Sequence, residues 1–293
     1  MNISIHQLEQ KAARLQEADP DGDELAATLS RLGALCKDTG SFARAETCMN
    51  GAMEIYRRRG EHAGPKAAAV LNNLGNLLRV LDRPEEAEEA LGKALNILSE
   101  KLGDGDPYIA RILTNLAAVQ RSRGNLEAAQ DALARALAIY ERTGGRPEDV
   151  ATALINLGNV LFDSGRPDEA KGLFEKALDV CEADGSSEAR RAALLNNLGN
   201  LAGRLGDLTS ARKTLGRALV HAHNSLGTDH PEAASILNNL AMVEARLGDS
   251  AAAKRLLEEA LEISRSKYGP DHSHTKMVRA NLLSLSGGNG GGE

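Results

Sequence analysis

The sequence predicts an all-α fold assembled from a repeated pair of helices. Alanine and leucine supply most of the apolar residues of the 293-residue chain, aromatic residues make up only 2%, and tryptophan is absent. A core built from such small and aliphatic side chains favours helix. In addition, an asparagine followed by leucine recurs every 41 or 42 residues. A fixed period of this length indicates an array of repeats rather than two unrelated domains.

The recurring asparagines mark equivalent positions of successive helices. They are Asn73, Asn115, Asn156, Asn197, Asn239 and Asn281. One further step back from Asn73 leads to Arg31 in the segment LSRLGAL, which is a degenerate first copy of the same pattern. The chain therefore contains six full repeats and a terminal half-repeat.

A turn and a second helix follow each of these first helices at fixed offsets. The turn position holds Gly40, Gly124, Gly165, Gly206 and Gly248 in five copies and Asp82 in the sixth. Glycine readily adopts the left-handed conformation that closes a helix. Two alanines seven residues apart then flank a larger apolar residue, as Ala87, Leu91 and Ala94 do. This helical periodicity predicts the buried face of a second helix.

The repeats are expected to fill residues 24–274, with capping segments at both ends. Residues 1–23 contain an amphipathic helix and a turn, residues 275–285 form a C-terminal capping helix, and residues 286–293 are a flexible glycine-rich tail. The expected repeat boundaries are 24–66, 67–108, 109–149, 150–190, 191–232 and 233–274.

The pattern N-L-G-N, followed by a turn glycine and then A-x-x-x-L-x-x-A-L, resembles the tetratricopeptide repeat. The resemblance covers residues 24–285, and the long period and linkers such as GTDHPE at 227–232 are similar to the kinesin light chain type of this repeat. The sequence departs from the family pattern by carrying leucine, for example Leu71, where the family has an early tryptophan. The resemblance implies a right-handed α-solenoid superhelix whose first helices line a concave groove.

By this resemblance, one face of each first helix lines the groove. When the leucine after the recurring asparagine is counted as position seven, positions two, five, nine and twelve share that face because they are three or four residues apart. The candidate groove residues, including two arginines at position thirteen, are Asn72, Asn76, Arg79, Arg111, Arg121, Asn159, Asn196, Asn200, Arg204, Asn238 and Arg246. Asparagine carboxamides can pair with peptide backbone, and arginines bind carboxylates. We therefore expect an extended acidic segment of a partner protein as the ligand.

The asparagines of the motif have different expected roles. Those at position six, such as Asn73 and Asn197, are expected to bond the backbone of a neighbouring repeat. Those at position nine, Asn76, Asn159 and Asn200, could serve either the fold or a ligand. Those at position five, Asn72, Asn196 and Asn238, are the stronger candidates for ligand contact.

Composition disfavours several other classes of function. The net charge of -6 and the pI near 5.7 argue against general electrostatic binding to nucleic acid or anionic membrane. RNA binding through the groove arginines is a minor alternative, which the lack of stacking aromatic residues disfavours. Cys36, Cys48 and Cys181 form no C-x-x-C motif and are expected to be reduced thiols. Neither a signal peptide nor an apolar span is evident, so a cytoplasmic location and no membrane insertion are expected.

The sequence also offers little for catalysis. The pairs HAH at 221–223 and HSH at 272–274 place their histidines about 200° apart on a helix, which is unsuited to joint metal binding. No phosphate-binding glycine loop and no H-E-x-x-H motif occur. We expect no catalytic residue, no metal and no cofactor. The alternative function is a structural scaffold that self-assembles through its convex face or its ends.

Overall fold

The computed structural model describes residues 4–62, 64–183 and 188–287. These ranges contain only helices and their connections, which confirms the all-α class. In chain order the helices are α1 (Ile5–Ala18), α2 (Asp23–Asp38), α3 (Phe42–Arg58), α4 (Pro65–Val80), α5 (Pro84–Leu102), α6 (Pro107–Ser122), α7 (Leu126–Thr143), α8 (Pro147–Asp163), α9 (Pro167–Ala183), α10 (Glu188–Arg204), α11 (Leu208–Leu226), α12 (Pro231–Leu247), α13 (Ser250–Tyr268) and α14 (Ser273–Gly287).

The chain divides into two compact units, which are considered separately. Unit 1 spans Met1–Gly145 and contains α1 followed by the helix pairs α2/α3, α4/α5 and α6/α7. Unit 2 spans Arg146–Glu293 and contains the pairs α8/α9, α10/α11 and α12/α13 followed by α14. Most of the predicted tail, residues 288–293, lies outside the described residues.

The first and second helices of the repeats have different neighbours in each unit. Each first helix that has a paired second helix packs most extensively against it, and a second helix also packs against the first helix that follows it in the same unit. Successive first helices contact one another directly, for example α4 with α6 and α10 with α12. Within the described ranges, successive second helices make no comparable contacts. The first helices therefore lie closer together and form the inner face of each unit.

The turns between paired helices have the predicted left-handed residue. Gly40, Gly124, Gly165, Gly206 and Gly248 all have positive φ angles. Asp82 occupies the same position with a φ of 61° and is the single non-glycine residue with positive φ in the described part of the chain. Aspartate tolerates this conformation better than most residues because its short side chain can bond locally.

Close approach of paired helices depends on a small residue at position eight of the first helix. A Cβ added to Gly158 would lie 2.5 Å from the Phe174 ring, and one added to Gly75 would lie 2.6 Å from Leu91. The flanking alanines of the second helices, such as Ala170, are fully buried. The repeated glycines and alanines thus fix the spacing within each helix pair.

The helices at the two ends cover the terminal repeats. In unit 1, α1 begins with a capping box between Ser4 and Gln7 and packs on α2. In unit 2, α14 packs on α12 and α13. Its position eight holds Leu283, which is exposed, where the other first helices carry glycine or alanine. A leucine there leaves less room for the close approach of a second helix than glycine or alanine does.

No helix of the described ranges is both long and apolar enough to cross a membrane.

Candidate functional site

Three hydrogen bonds between asparagine side chains link successive first helices. In unit 1, Asn115 Nδ2 donates to Asn72 Oδ1 over 2.8 Å. In unit 2, Asn239 donates to Asn196 over 2.9 Å, and Asn281 donates to Asn238 over 2.8 Å. The donor is always at position six and the acceptor at position five of the preceding repeat. The expectation that position-six asparagines bond neighbouring backbone is therefore wrong for these three, because their partners are side chains.

These bonds restrict the position-five asparagines as ligand contacts. Asn72 is only 7% exposed and Asn238 only 4%. Asn196 is partly exposed and also forms a hydrogen bond with the Glu232 carboxyl group. Burial raises the pKa of Glu232, and the bond from Asn196 partly opposes that shift. We refer to the three asparagine pairs as the asparagine ladder.

The asparagine ladder has a gap in unit 2 between α8 and α10. Position five of α8 holds Ile155, a buried aliphatic residue that cannot accept a hydrogen bond. Asn197, the position-six residue that follows it, is half-buried and has no hydrogen bond to the described part of the chain. The carboxamide of Asn197 is thus open to a ligand in a way that its ladder counterparts are not.

The position-nine asparagines differ between the two units. In unit 1, Asn76 Oδ1 accepts a hydrogen bond from Arg79 Nη2 over 3.2 Å. In unit 2, Asn159 is half-buried and Asn200 is exposed, and the structure gives neither a hydrogen bond within the described ranges. Asn159 and Asn200 therefore retain their full donor and acceptor capacity for a ligand.

The predicted arginines of unit 1 fall into two groups. Arg79 and Arg121 are half-buried and take part in interactions within the chain. Arg111 instead lies beside the ring of Tyr108, with its guanidinium carbon 5.4 Å from the ring centroid. It forms no ion pair with a carboxylate of the described residues. Arg111 is thus the predicted cation of this unit with the most capacity left for an external anion.

The predicted arginines of unit 2 lie near the last turns of α10 and α12. Arg204 is exposed and stacks on the face of Phe162 from α8, with 3.7 Å between its guanidinium carbon and the ring centroid. Arg246 donates to the carbonyl oxygen of Gly203 on α10. Neither forms an ion pair with a described carboxylate. These contacts bring the C-terminal ends of α8, α10 and α12 together around two cations.

Three arginines in the turns and on a second helix pair with carboxylates instead. Arg57 pairs with Glu54 over 2.7 Å, Arg166 with Glu169 over 2.6 Å, and Arg83 bridges Glu46 and Glu86. These hydrogen bonds lower the pKa values of the Glu54, Glu86 and Glu169 carboxyl groups. Arg111 and Arg204 differ from this group in contacting aromatic rings rather than carboxylates.

An apolar cleft of about 310 Å³ opens beside Arg111 in unit 1. It is lined by α4, the end of α5 and the start of α6, and its walls include Leu98, Leu102, Tyr108 and Ile112. Tyr108 is 56% exposed. Sequence reasoning missed Tyr108 and the two leucines. An exposed tyrosine is unusual in a chain this poor in aromatics, and its place directly after the N-cap Asp106 and Pro107 could have indicated it.

Two cysteine thiols and one histidine of the described residues are held in structural environments. Burial raises the pKa values of the Cys36 and Cys48 thiols, which disfavours the thiolate. His274 Nδ1 lies 3.0 Å from Ser264 Oγ and its Nε2 lies 3.3 Å from Ser235 Oγ, so this ring joins α12, α13 and α14. Among the described residues, no group of three or more potential ligands is placed to hold a metal ion.

Repeated helix pairs, left-handed turns and small residues at the helix contacts define a helical repeat protein. The tetratricopeptide repeat family model matches residues 24–100, 66–142, 108–183, 149–219, 190–266 and 232–284. The chain therefore belongs to the tetratricopeptide repeat family. Proteins of this fold are protein-interaction adaptors, and the chain shares that general role. No curated protein matches it in sequence.

Solved structures of similar fold include several repeat proteins. BtubC (BKLC) from P. vanneervenii is 25% identical, with a TM-score of 0.56 over 78% of this chain and 92% of that chain. The nearly identical TPR-like repeats described as a putative kinesin light chain from Podosopora anserina are 21% identical, with a TM-score of 0.51 over 70% of this chain and 97% of that chain. The Rap protein complexed with Competence and Sporulation Factor is 16% identical, with a TM-score of 0.67 over 97% and 79%. The last two likenesses concern the fold alone.

Proposed function

We propose that the chain is a non-catalytic adaptor that binds an extended, acidic segment of a partner protein on the inner face formed by its first helices. The observation that carries this proposal is the position of Arg111 and its lack of an ion pair with a described carboxylate. It is a cation on the wall of an apolar cleft, and no described carboxylate neutralises it. A concave apolar site with a few polar groups at its rim is the usual form of a ligand site.

The cleft in unit 1 suits an apolar side chain next to a carboxylate. Leu98, Leu102 and Ile112 would cover the apolar group, and Arg111 would bind the carboxylate with charge-assisted hydrogen bonds. Tyr108 would supply a rigid apolar surface with a polar tip. This combination favours a peptide over a free inorganic anion, which would gain nothing from the leucines.

The inner face of unit 2 offers a second set of contacts of the same kind. Arg204 is held in place by Phe162, which reduces the conformational entropy that a free arginine would lose on binding a carboxylate. Asn159 and Asn200 lie on neighbouring first helices and can bond a peptide backbone regardless of its sequence. The buried Asn72 and Asn238 contribute by fixing the helices rather than by direct contact.

The test is a selection from a displayed library of random dodecapeptides on the wild-type chain. Selected peptides should be rich in aspartate and glutamate, and their affinity should fall at least tenfold with Arg111→Glu because attraction becomes repulsion. The matched control is Arg135→Glu, which makes the same charge change at an exposed position of α7. Affinity is measured by fluorescence anisotropy with labelled peptides.

The control variant separates the site from the overall charge of the protein. Equal losses with Arg111→Glu and Arg135→Glu would show that only long-range electrostatics matter. Selected peptides without acidic enrichment would refute the proposed ligand class. Retained affinity in a folded variant that combines Arg111→Glu with Arg204→Glu would refute the proposed site.

A further inference from the structure

The second helices of unit 2 carry an unequal distribution of charge. Helix α11 contains Arg212, Lys213 and Arg217 and no acidic residue, so its formal charge excluding histidine is +3. Helix α9 contains five acidic residues and two lysines, so its formal charge is -3. Both helices pack against α10. Helix α9 belongs to the repeat before α10, and α11 belongs to the same repeat as α10. An acidic and a basic helix therefore lie in neighbouring repeats on the outer side of one unit.

Two of the three basic residues of α11 lie on a continuous exposed stripe, whereas Arg212 lies 3.9 Å from the Glu244 carboxylate of α12. Thr209, Lys213, Arg217, Val220 and Asn224 follow one another at spacings of three or four residues, and all are exposed. Val220 is 59% exposed, which is unusual for a β-branched apolar residue in mid-helix. Lys213 and Arg217 have no ion pair with a described residue. By contrast, α9 and α13 each contain a lysine that pairs with a glutamate one turn away.

Three of the five acidic residues of α9 form a matching stripe. Asp168, Gly172, Glu175 and Asp179 are separated by four, three and four residues, and all are exposed. Glu175 has one ion pair within the helix, to Lys171 at 3.9 Å. At that distance and exposure the pair contributes little to stability and can be exchanged for a better one.

A glycine with open space around it lies within the α9 stripe and another lies beside the α11 stripe. Nothing lies within 4 Å of a Cβ added to Gly172 or to Gly216, which sits between Lys213 and Val220 on α11. A glycine in a helix interior costs about 1 kcal/mol relative to alanine. Packing within the described chain does not require glycine at either position, but close approach of another helix would.

We propose that unit 2 forms a two-fold symmetric dimer in which the basic stripe of α11 in one copy packs on the acidic stripe of α9 in the other. Because of the two-fold symmetry, α9 of the first copy then also packs on α11 of the second copy, so the interface contains two identical contacts between a basic and an acidic stripe. Val220 and the two glycines supply the apolar, close-packed part of the contact. The occupant is a second copy because both complementary surfaces are present in the same unit.

The dimer would use the outer side and leave the first helices free. Two peptide-binding faces in one assembly would raise the apparent affinity for a partner that carries two acidic segments. This inference does not depend on the proposed ligand, because dimerisation is measured without any peptide.

The test is a charge exchange followed by sedimentation equilibrium at low salt. Wild type should be a dimer, whereas Lys213→Glu combined with Arg217→Glu should raise the dimer dissociation constant at least tenfold, since acidic stripes would then face each other. Glu175→Lys combined with Asp179→Lys should have the same effect. An equimolar mixture of the two variants should form a heterodimer, because both of its contacts are complementary again.

Two controls distinguish the interface from charge or folding effects. Lys254→Glu combined with Arg255→Glu makes the same charge change on exposed residues of α13 and should leave the dimer intact. Gly216→Gln should stabilise the fold, because glutamine is a better helix former, yet should weaken the dimer by blocking close approach. A monomeric wild type at micromolar concentration, charge-reversed variants that still self-associate, or a mixture that does not associate would each overturn the proposal.

Discussion

Asn115 Nδ2 donates a hydrogen bond to Asn72 Oδ1 over 2.8 Å, which joins α6 to α4 through side chains 43 residues apart. The acceptor is almost fully buried. The same donor and acceptor positions are bonded between α10 and α12 and between α12 and α14. The asparagine-rich motif of the repeat therefore joins these three pairs of successive first helices through side-chain hydrogen bonds. It thereby fixes the inner face, where we propose that a partner binds.

The contributions of Asn115 and Asn72 to the free energy of unfolding should not be additive. Asn115→Leu leaves the buried carbonyl oxygen of Asn72 without its donor, and we expect a loss of about 1–3 kcal/mol in unfolding free energy. Adding Asn72→Leu should cost less than the sum of the two single changes, because both polar groups are then removed. Urea denaturation of the four proteins measures this cycle. Strict additivity would show that the bond contributes nothing beyond its separate residues.

The gap in the asparagine ladder can be filled by one substitution. Ile155→Asn places an acceptor opposite Asn197, although it removes a buried aliphatic side chain and should lower stability overall. The new bond should make Asn197→Ala more costly in this background than in wild type by about 1 kcal/mol. The comparison is again made by denaturation. An equal cost of Asn197→Ala in both backgrounds would indicate that no bond forms.

Gly158→Ala should destabilise unit 2 by overpacking. The added Cβ would meet the Phe174 ring at 2.5 Å, and a clash of this kind costs about 1–3 kcal/mol. The matched control is Gly92→Ala on α5, where nothing lies within 4 Å of the added Cβ. This change should be neutral or stabilising, because alanine is a better helix former than glycine. Thermal unfolding would contradict this account if Gly158→Ala alone were neutral.

Acidification should loosen the end of unit 2 through His274. Burial, followed by the nearby His272, holds the pKa of the His274 ring below its usual 6.5, so the folded protein keeps the ring neutral. The unfolded chain binds this proton more readily. The associated stability is therefore fully present above about pH 6.5 and declines as the pH falls below it. Hydrogen exchange of α14 amides should accelerate accordingly.

The control for this pH effect is His274→Asn, which should flatten the dependence of α14 exchange between about pH 7 and 5. His62→Asn removes another histidine, from unit 1, and should leave that dependence unchanged. If α14 exchange in wild type were insensitive to pH after correction for intrinsic rates, His274 would not control the attachment of this helix.

Much of the fold could be predicted from the sequence because its determinants recur at fixed offsets. The buried alanines, the turn glycines and even Asp82 in the left-handed position follow directly from the period. Few residue types suit a left-handed turn or a close helix contact. The same residue types at the same offsets in several repeats therefore support one assignment of the turns and helices.

The candidate site was less accessible to sequence reasoning. Position in the repeat indicated that Asn72 lies on the groove face as a candidate for ligand contact, but not that Asn115 would already occupy its carbonyl oxygen. The cleft beside Arg111 depends on where the end of α5 meets the start of α6, which is set by the linker between them. Tyr108 contributes to this cleft from outside the four positions that define the helix face. The side-chain contacts between repeats therefore could not be predicted from the sequence alone.

A crystal structure of the chain with a selected acidic peptide tests the central claim most directly. The peptide should lie along the first helices, with a carboxylate within hydrogen-bonding distance of Arg111 or Arg204 and an apolar side chain in the cleft lined by Leu98 and Leu102. Electron density for the peptide on the second helices, with the guanidinium groups of Arg111 and Arg204 unchanged, would contradict the account.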